Sequence, residues 1–221
     1  MTMIQISVPV GHIEAAMQAV SKETLRYYLN GVFIDARGFI AATNGHMAFA
    51  AVCEAANKTS DCSPTYAATV GALAGVIVPR LALELAAKAA GRTKGLNMVF
   101  ERDAQGQWWI LNGTARVAFV PVDGAFPDWK RIVPEAPAAL TAAHYDPQYI
   151  AALGNMAKAL NDGKKDMSTA FRLHQAGESP APVTFRNGAG DVMTDCVAVL
   201  MPIRTKPVDY EATSHVPAFR P

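Results

Sequence analysis

One pattern recurs three times along this chain and constrains its fold more than any other feature. Each copy has a short strand-like run, then a proline, then a helical stretch: IQISVPVGHIEAAMQAVSKE, AGVIVPRLALELAAKAAG and LTAAHYDPQYIAALGNMAKALNDG. The prolines are Pro9, Pro79 and Pro147, spaced by 70 and 68 residues. The segment after each helix also repeats. Two strand-like runs are broken by Asn-Gly, as FIAAT-NG-HMAFAAV, WWIL-NG-TARVAFV and VTFR-NG-AGDVMTDCVAVLM. The glycines Gly45, Gly113 and Gly188 lie 36, 34 and 41 residues after the matching proline. Asn-Gly favours tight hairpins because both residues tolerate positive φ. A further strand precedes each pair: RYYLNGVFID, LNMVFERD and STAFRLHQ. The unit is therefore β-α-β-β-β, used three times, and the fold class is α+β.

Proline suits a helix start, because its fixed φ fits the first turn and its missing N–H is not needed there. In the third copy Asp146 is placed to cap the helix, with Ile150, Leu153, Met156, Ala157 and Leu160 on one face and Gly163 as the stop. The second copy offers Leu81, Leu85 and nearby alanines as its apolar stripe, ended by Gly91. The first offers Ile13, Met17 and Val20.

The 221 residues allow one or two domains, and 51% hydrophobic content supplies an ample core. No apolar run is long enough to span a bilayer, and the N-terminus lacks the basic and apolar regions of a signal peptide. Cys53, Cys62 and Cys196 are odd in number and fit neither a zinc nor a disulfide spacing. Reduced thiols and a cytoplasmic location are expected. Two glycosylation-like triplets begin at Asn57 and Asn112, and without export they carry no meaning. A net charge of +1 argues against a strongly basic sequence reader but leaves room for one DNA-facing surface.

Catalytic templates fail throughout. There is no P-loop, no GxSxG and no GxGxxG between strand and helix; the Gly188–Gly190 run sits in a hairpin turn. The histidines His12, His46, His144, His174 and His215 are scattered without ligand spacing. Single acidic residues such as Asp35, Asp103 and Asp123 fall at turns, and no pair suits acid–base work. His46, beside an Asn-Gly turn, reads as a packed turn residue. The expectation is a binding protein without enzymatic activity or cofactor.

Several stretches then carry a specific resemblance. RYYLNGVFID (Arg26–Asp35) followed by ATNGHMAFA looks like the RYYLNG…ATDGHRLA signature of the bacterial DNA polymerase III β subunit, the sliding clamp. GAFPDWKRIVP (Gly124–Pro134) is similar to that family's DGxFPDYxRVLP, and AVLMPIR (Ala198–Arg204) to its VMPMR terminus. VIVPR (Val76–Arg80) also matches. The resemblance spans roughly residues 3–204 and implies the DNA clamp (processivity) fold, with β-α-β-β-β half-domains, helices toward a central hole and no catalysis. It implies homo-oligomers, non-specific binding of double-stranded DNA, and docking of polymerase and clamp-loader peptides in an apolar groove. The matching groove positions are Leu29, Thr43, Gly45, Pro127, Arg131, Ile132, Val199, Leu200, Met201, Pro202, Ile203 and Arg204. Arg26, Tyr27 and Tyr28 match the run that approaches DNA.

The chain departs from that family in its count. Bacterial clamps have six half-units in three domains; this chain has three. Residues 1–134 resemble a complete middle domain, 135–205 the second half of the last domain, and 206–221 an extended tail. Asn44 and Met47 replace acidic and Arg residues beside the groove. An unpaired third unit leaves sheet edge exposed, so an oligomer is expected: four chains of three units if a ring needs twelve, or two chains that pair their third units into one domain. The alternative is a non-encircling interaction or decoy protein, of phage or mobile-element type, that keeps the groove alone.

Overall fold

The computed structural model describes residues 4–35, 38–52, 75–93, 95–131, 133–134, 143–161 and 169–204. Unit one comprises β1 (Ile4–Pro9), α1 (Val10–Met17), β2 (Gly31–Ile34), β3 (Phe39–Thr43) and β4 (Met47–Val52). Unit two comprises β5 (Val76–Pro79), α2 (Arg80–Ala90), β6 (Asn97–Arg102), β7 (Trp108–Asn112) and β8 (Ala115–Phe119). Unit three supplies α3 (Pro147–Leu160), β9 (Ala170–Leu173), β10 (Ala181–Arg186) and β11 (Cys196–Leu200). The strands form two antiparallel sheets, ordered β1-β6-β7-β8 and β5-β2-β3-β4-β11-β10-β9. This is the α+β architecture expected from the repeat.

The first two units interlock by exchanging their leading strands. β1 leaves its own unit and pairs with β6, while β5 pairs with β2. Both exchanges end at the proline: Pro9 faces Asn97 and Pro79 faces Gly31. The first helical residue then extends each ladder, with Val10 N–H donating to Leu96 O at 2.9 Å and Arg80 N–H to Asn30 O at 2.9 Å. The cross-strand pairs Val8–Met98 and Val78–Val32 are fully buried. Burying one such side chain contributes about 1.5–3 kcal/mol, so neither unit keeps its core without the other's strand.

Unit three joins through an edge. β11 pairs with β4 along its whole length, from Cys196 opposite Ala51 to Leu200 opposite Met47. Phe49 meets Phe185 edge-on at 6.3 Å beneath this seam. α3 lies against α1, and their closest approach is at Gly11, where a Cβ would stand 2.4 Å from the Ala159 carbonyl oxygen. His12 on α1 also reaches Asp195 in the β10–β11 loop at 3.1 Å. The buried core runs without a break through residues of all three units.

Three local expectations change. Tyr27–Leu29 forms a 3-10 turn, with β2 starting only at Gly31, because Leu29 N–H bonds Arg26 O and Asn30 N–H bonds Tyr27 O. On α2 the buried residues are Leu83, Ala86 and Ala90, while Leu81 (69%) and Leu85 (55%) stay exposed. Its Ala- and Leu-rich sequence offers two apolar stripes, and the register of β5 against β2 selects one by fixing where the helix starts. The third Asn-Gly is no tight hairpin: residues 187–195 separate β10 from β11, and Gly190 carries the positive φ. Asn187 folds this loop on itself, its side-chain oxygen accepting from Ala189 and Asp191 N–H. Asn44-Gly45 and Asn112-Gly113 do turn hairpins, with φ of 88° and 58° at the glycines.

Gly91 ends α2 at φ 52°, and α3 is capped as expected by Asp146, which accepts from Gln148 N–H at 2.8 Å. Gly163 lies outside the described residues. Among those described, no helix is long and apolar enough to cross a membrane.

Candidate partner-docking site

The sheet seam brings the Asn44-Gly45-His46 turn beside the chain that leaves β11. Thr43 and Asn44 build the turn. The Thr43 hydroxyl donates to Met47 O at 2.8 Å and accepts from Gly45 N–H at 3.1 Å. The Asn44 side-chain oxygen accepts from His46 and Met47 N–H, each at 2.9 Å. The His46 carbonyl then receives Met201 N–H at 2.9 Å, and Ile203 N–H continues to His144 O at 2.8 Å. Strand-like alternation past β11 turns Met201 (39%) and Ile203 (47%) toward solvent. Pro202 is half-buried, and Arg204 is exposed.

The expected groove positions therefore divide. Leu29, Thr43, Val199 and Leu200 are buried. Gly45, Met201, Ile203 and Arg204 are exposed beside the seam. Pro127 and Arg131 belong to the crossing segment 120–131. Val122 N–H bonds Ile77 O at 3.0 Å, and Phe126 stacks on Phe33 at 5.1 Å. Lys130 lies 5.4 Å over Phe39, at the end of β3 opposite Thr43. That end is about 13 Å from Thr43 at a strand's rise per residue. The structure brings Pro127 and Arg131 into no described contact with Met201–Arg204. Ile132 lies outside the described residues.

The Arg26-Tyr27-Tyr28 run is held against the same turn. Gly45 has φ 88°, and a Cβ there would stand 2.6 Å from an Arg26 guanidinium nitrogen. Arg26 also makes two bonds to the Glu23 carboxylate, at 3.0 and 2.7 Å. Its charge is thus already partnered within the chain. Tyr28 is half-buried against Gly124, whose added Cβ would meet it at 2.9 Å. Tyr27 meets Tyr28 edge-on at 5.9 Å and is 54% exposed, so it is the part of the run that projects.

Sequence reasoning set His46 aside and did not single out Tyr149, yet the two rings stack at 5.7 Å and 19°. They help line a cavity of about 360 Å³ between units one and three, with Val20, Glu23, Asn44 and Gln148. Burial first, then the carboxylates of Asp146 and Glu23, push the Tyr149 hydroxyl above its ordinary pKa. The only signal for Tyr149 was its place on the first turn of α3. That His46 faces it depends on the β4–β11 pairing. Among the described residues no group of His, Cys, Asp or Glu side chains gathers to hold a metal ion.

The fold is that of bacterial DNA polymerase III β sliding clamps. The Bartonella birtlesii clamp, bound to griselimycin, aligns with a TM-score of 0.57 and 19% identity, over 91% of this chain and 66% of its own. The Caulobacter crescentus β sliding clamp aligns at 0.54 and 20%, over 92% and 67%. The Thermotoga maritima β subunit aligns at 0.56 and 12%, over 92% and 66%. The chain thus spans about two thirds of the length of these clamps. No protein-family model and no curated protein matches it.

Proposed function

We propose that this protein is a clamp-like DNA replication accessory factor of the cytoplasm. It acts by binding and not by catalysis. It associates with double-stranded DNA without reading sequence, and it docks extended polymerase or clamp-loader peptides beside the β4–β11 seam. The observation that carries this reading is the exposed pair Met201 and Ile203, set next to the Gly45 turn on a sliding-clamp fold. Aliphatic and Met side chains at the end of a sheet accept Leu or Phe anchors of varied peptides. In this reading Pro127, Arg131 and Ile132 flank the bound peptide, and Arg26 and Tyr28 hold Tyr27 toward nucleic acid.

Peptide docking is tested by titrating a Leu- and Phe-containing polymerase peptide. Met201→Asp and Ile203→Asp are each expected to weaken binding about tenfold, the scale of an interface anchor. Unchanged affinity in both variants refutes the groove. DNA association is tested by retention on closed circular against linear duplex. A topological clamp stays on circles and slides from free ends.

A second reading is favoured by the helical faces. α2 turns Leu81 and Leu85 to solvent and neutralises Arg80 with Glu84 at 2.8 Å. Lys88 and Arg92 are exposed toward the end of that face, but its exposed leucines offer nothing to phosphate. It fits a protein that keeps the peptide site and never encircles DNA. Equal retention on circles and linear DNA, or none, with intact peptide binding, selects this reading.

A further inference from the structure

We propose that the edge of β9, which has no second neighbour among the described residues, docks a second copy of this chain through the residues just before that copy's α3, Ala143–Asp146. This goes beyond the reading above, which names no self-association, and depends on strand pairing, not on DNA.

The two completed units show what occupies this edge. In each, the first strand after the helix has neighbours on both sides: β2 lies between β5 and β3, and β6 between β1 and β7. β9 is the same element of unit three, and among the described residues it ends the seven-stranded sheet beside β10. The occupant in both completed cases is a pre-helix strand from another unit. Units one and two have used theirs on each other. Among the described residues none is left for β9.

The completed units also fix the register, except that Pro147, the first residue of α3, has no N–H to give the bond that Val10 and Arg80 make. The helix N-cap faces the first residue of the receiving strand, as Pro9 faces Asn97 and Pro79 faces Gly31. The residue before it faces the second, giving the buried pairs Val8–Met98 and Val78–Val32. In unit three this register sets Asp146 opposite Ala170, and Tyr145 opposite Phe171. Tyr145 and Phe171 are both only half-buried, where their four counterparts are fully buried. Joining them makes a cross-strand aromatic pair of the kind that stabilises sheets.

The backbone is also prepared. His174 N–H donates to Pro182 O at 2.9 Å. By antiparallel alternation the N–H groups of Phe171 and Leu173 then point away from β10. A two-fold exchange satisfies both copies at once and closes at two chains, so no further edge is propagated.

The test uses the full chain. Mass measurement by light scattering is run across a concentration series, with amide hydrogen exchange read at Phe171 and Leu173. The expected result is a species of twice the chain mass, with protection of both amides rising as it forms. Leu173→Pro removes one outward N–H and spares the bonds to β10. It is expected to leave a single-chain species with unaltered far-ultraviolet dichroism. A monomer at high micromolar concentration overturns the proposal. So does a dimer without new protection at these amides, which uses another surface. Protection independent of concentration overturns it too, because the edge is then filled within one chain. Failure here leaves the peptide and DNA tests untouched, since neither reads β9.

Discussion

At the scale of single residues, the Gly45 turn is the most constrained point of the candidate site. Its φ of 88° disfavours any side chain, and Arg26 closes the space a Cβ would take. Gly45→Ala is expected to destabilise the protein by about 1–3 kcal/mol, measured by urea unfolding. Adding Arg26→Ala should recover only part of the loss, because it frees the space and leaves the backbone strained. The Arg26–Glu23 pair itself is half-exposed, so breaking it alone should cost about 0–1 kcal/mol. Asp103 governs a second turn. Its carboxylate accepts from the Trp109 indole at 2.9 Å and from Gln105 and Gln107 N–H. The Trp109 bond, with the two backbone bonds and Arg116 nearby, holds its pKa below the ordinary carboxylate value against some desolvation. The native state therefore binds this proton less readily than the unfolded chain. Its contribution is present above the ordinary carboxylate range and is lost as pH falls through the lowered value. Trp fluorescence, to which Trp109 contributes beside Trp108 and Trp129, should change with the loosening of the β6–β7 turn only in that acidic window, and Asp103→Asn should remove that change. Tyr145 runs the other way. Burial raises its pKa, so its contribution is present at neutral pH and is lost as pH rises through the raised value.

At the scale of elements, α3 depends on its first turn and on its approach to α1. Asp146 caps the helix, and Asp146→Ala should cost about 0.5–2 kcal/mol. Gly11 allows α1 to reach the last turn of α3, where a Cβ would overlap the Ala159 carbonyl. Gly11→Ala should separate the helices and destabilise the protein by about 1–3 kcal/mol. Its signature is distinct, because it should disturb the His46–Tyr149 stack across the unit boundary, visible in aromatic chemical shifts, while leaving the β6–β8 sheet unchanged.

At the scale of the molecule, the exchanged strands and the β4–β11 seam make one continuous core. Phe49 and Phe185 sit at its centre. Phe49→Ala should cost about 3–5 kcal/mol and lower the stability of all three units together. Unfolding curves from Trp fluorescence, carried by Trp108 and Trp109 of unit two and by Trp129 and so absent from unit three, and from far-ultraviolet dichroism should coincide in both proteins. Separate transitions would show that unit three melts independently.

Much of this was legible in the sequence, for local reasons. Proline and Asp146 chose the helix starts, Gly91 a helix end, and Asn44-Gly45 and Asn112-Gly113 their hairpins, because each acts through the φ and hydrogen bonds of its own neighbourhood. The repeated order of these signals was enough to define the β-α-β-β-β unit and the α+β class. Local signals failed where two answers were equally good nearby. The α2 sequence carries two apolar stripes, Arg26–Leu29 reads as strand or turn, and the Asn187-Gly188 step had room to form a long loop. Only the tertiary structure decided which unit lends its first strand to which, that β11 seals against β4, and that Met201 and His46 meet while β9 ends the sheet among the described residues. Those outcomes depend on pairings between residues far apart in the chain, whose register is set by the burial of whole sheet faces and not by any residue's own preference.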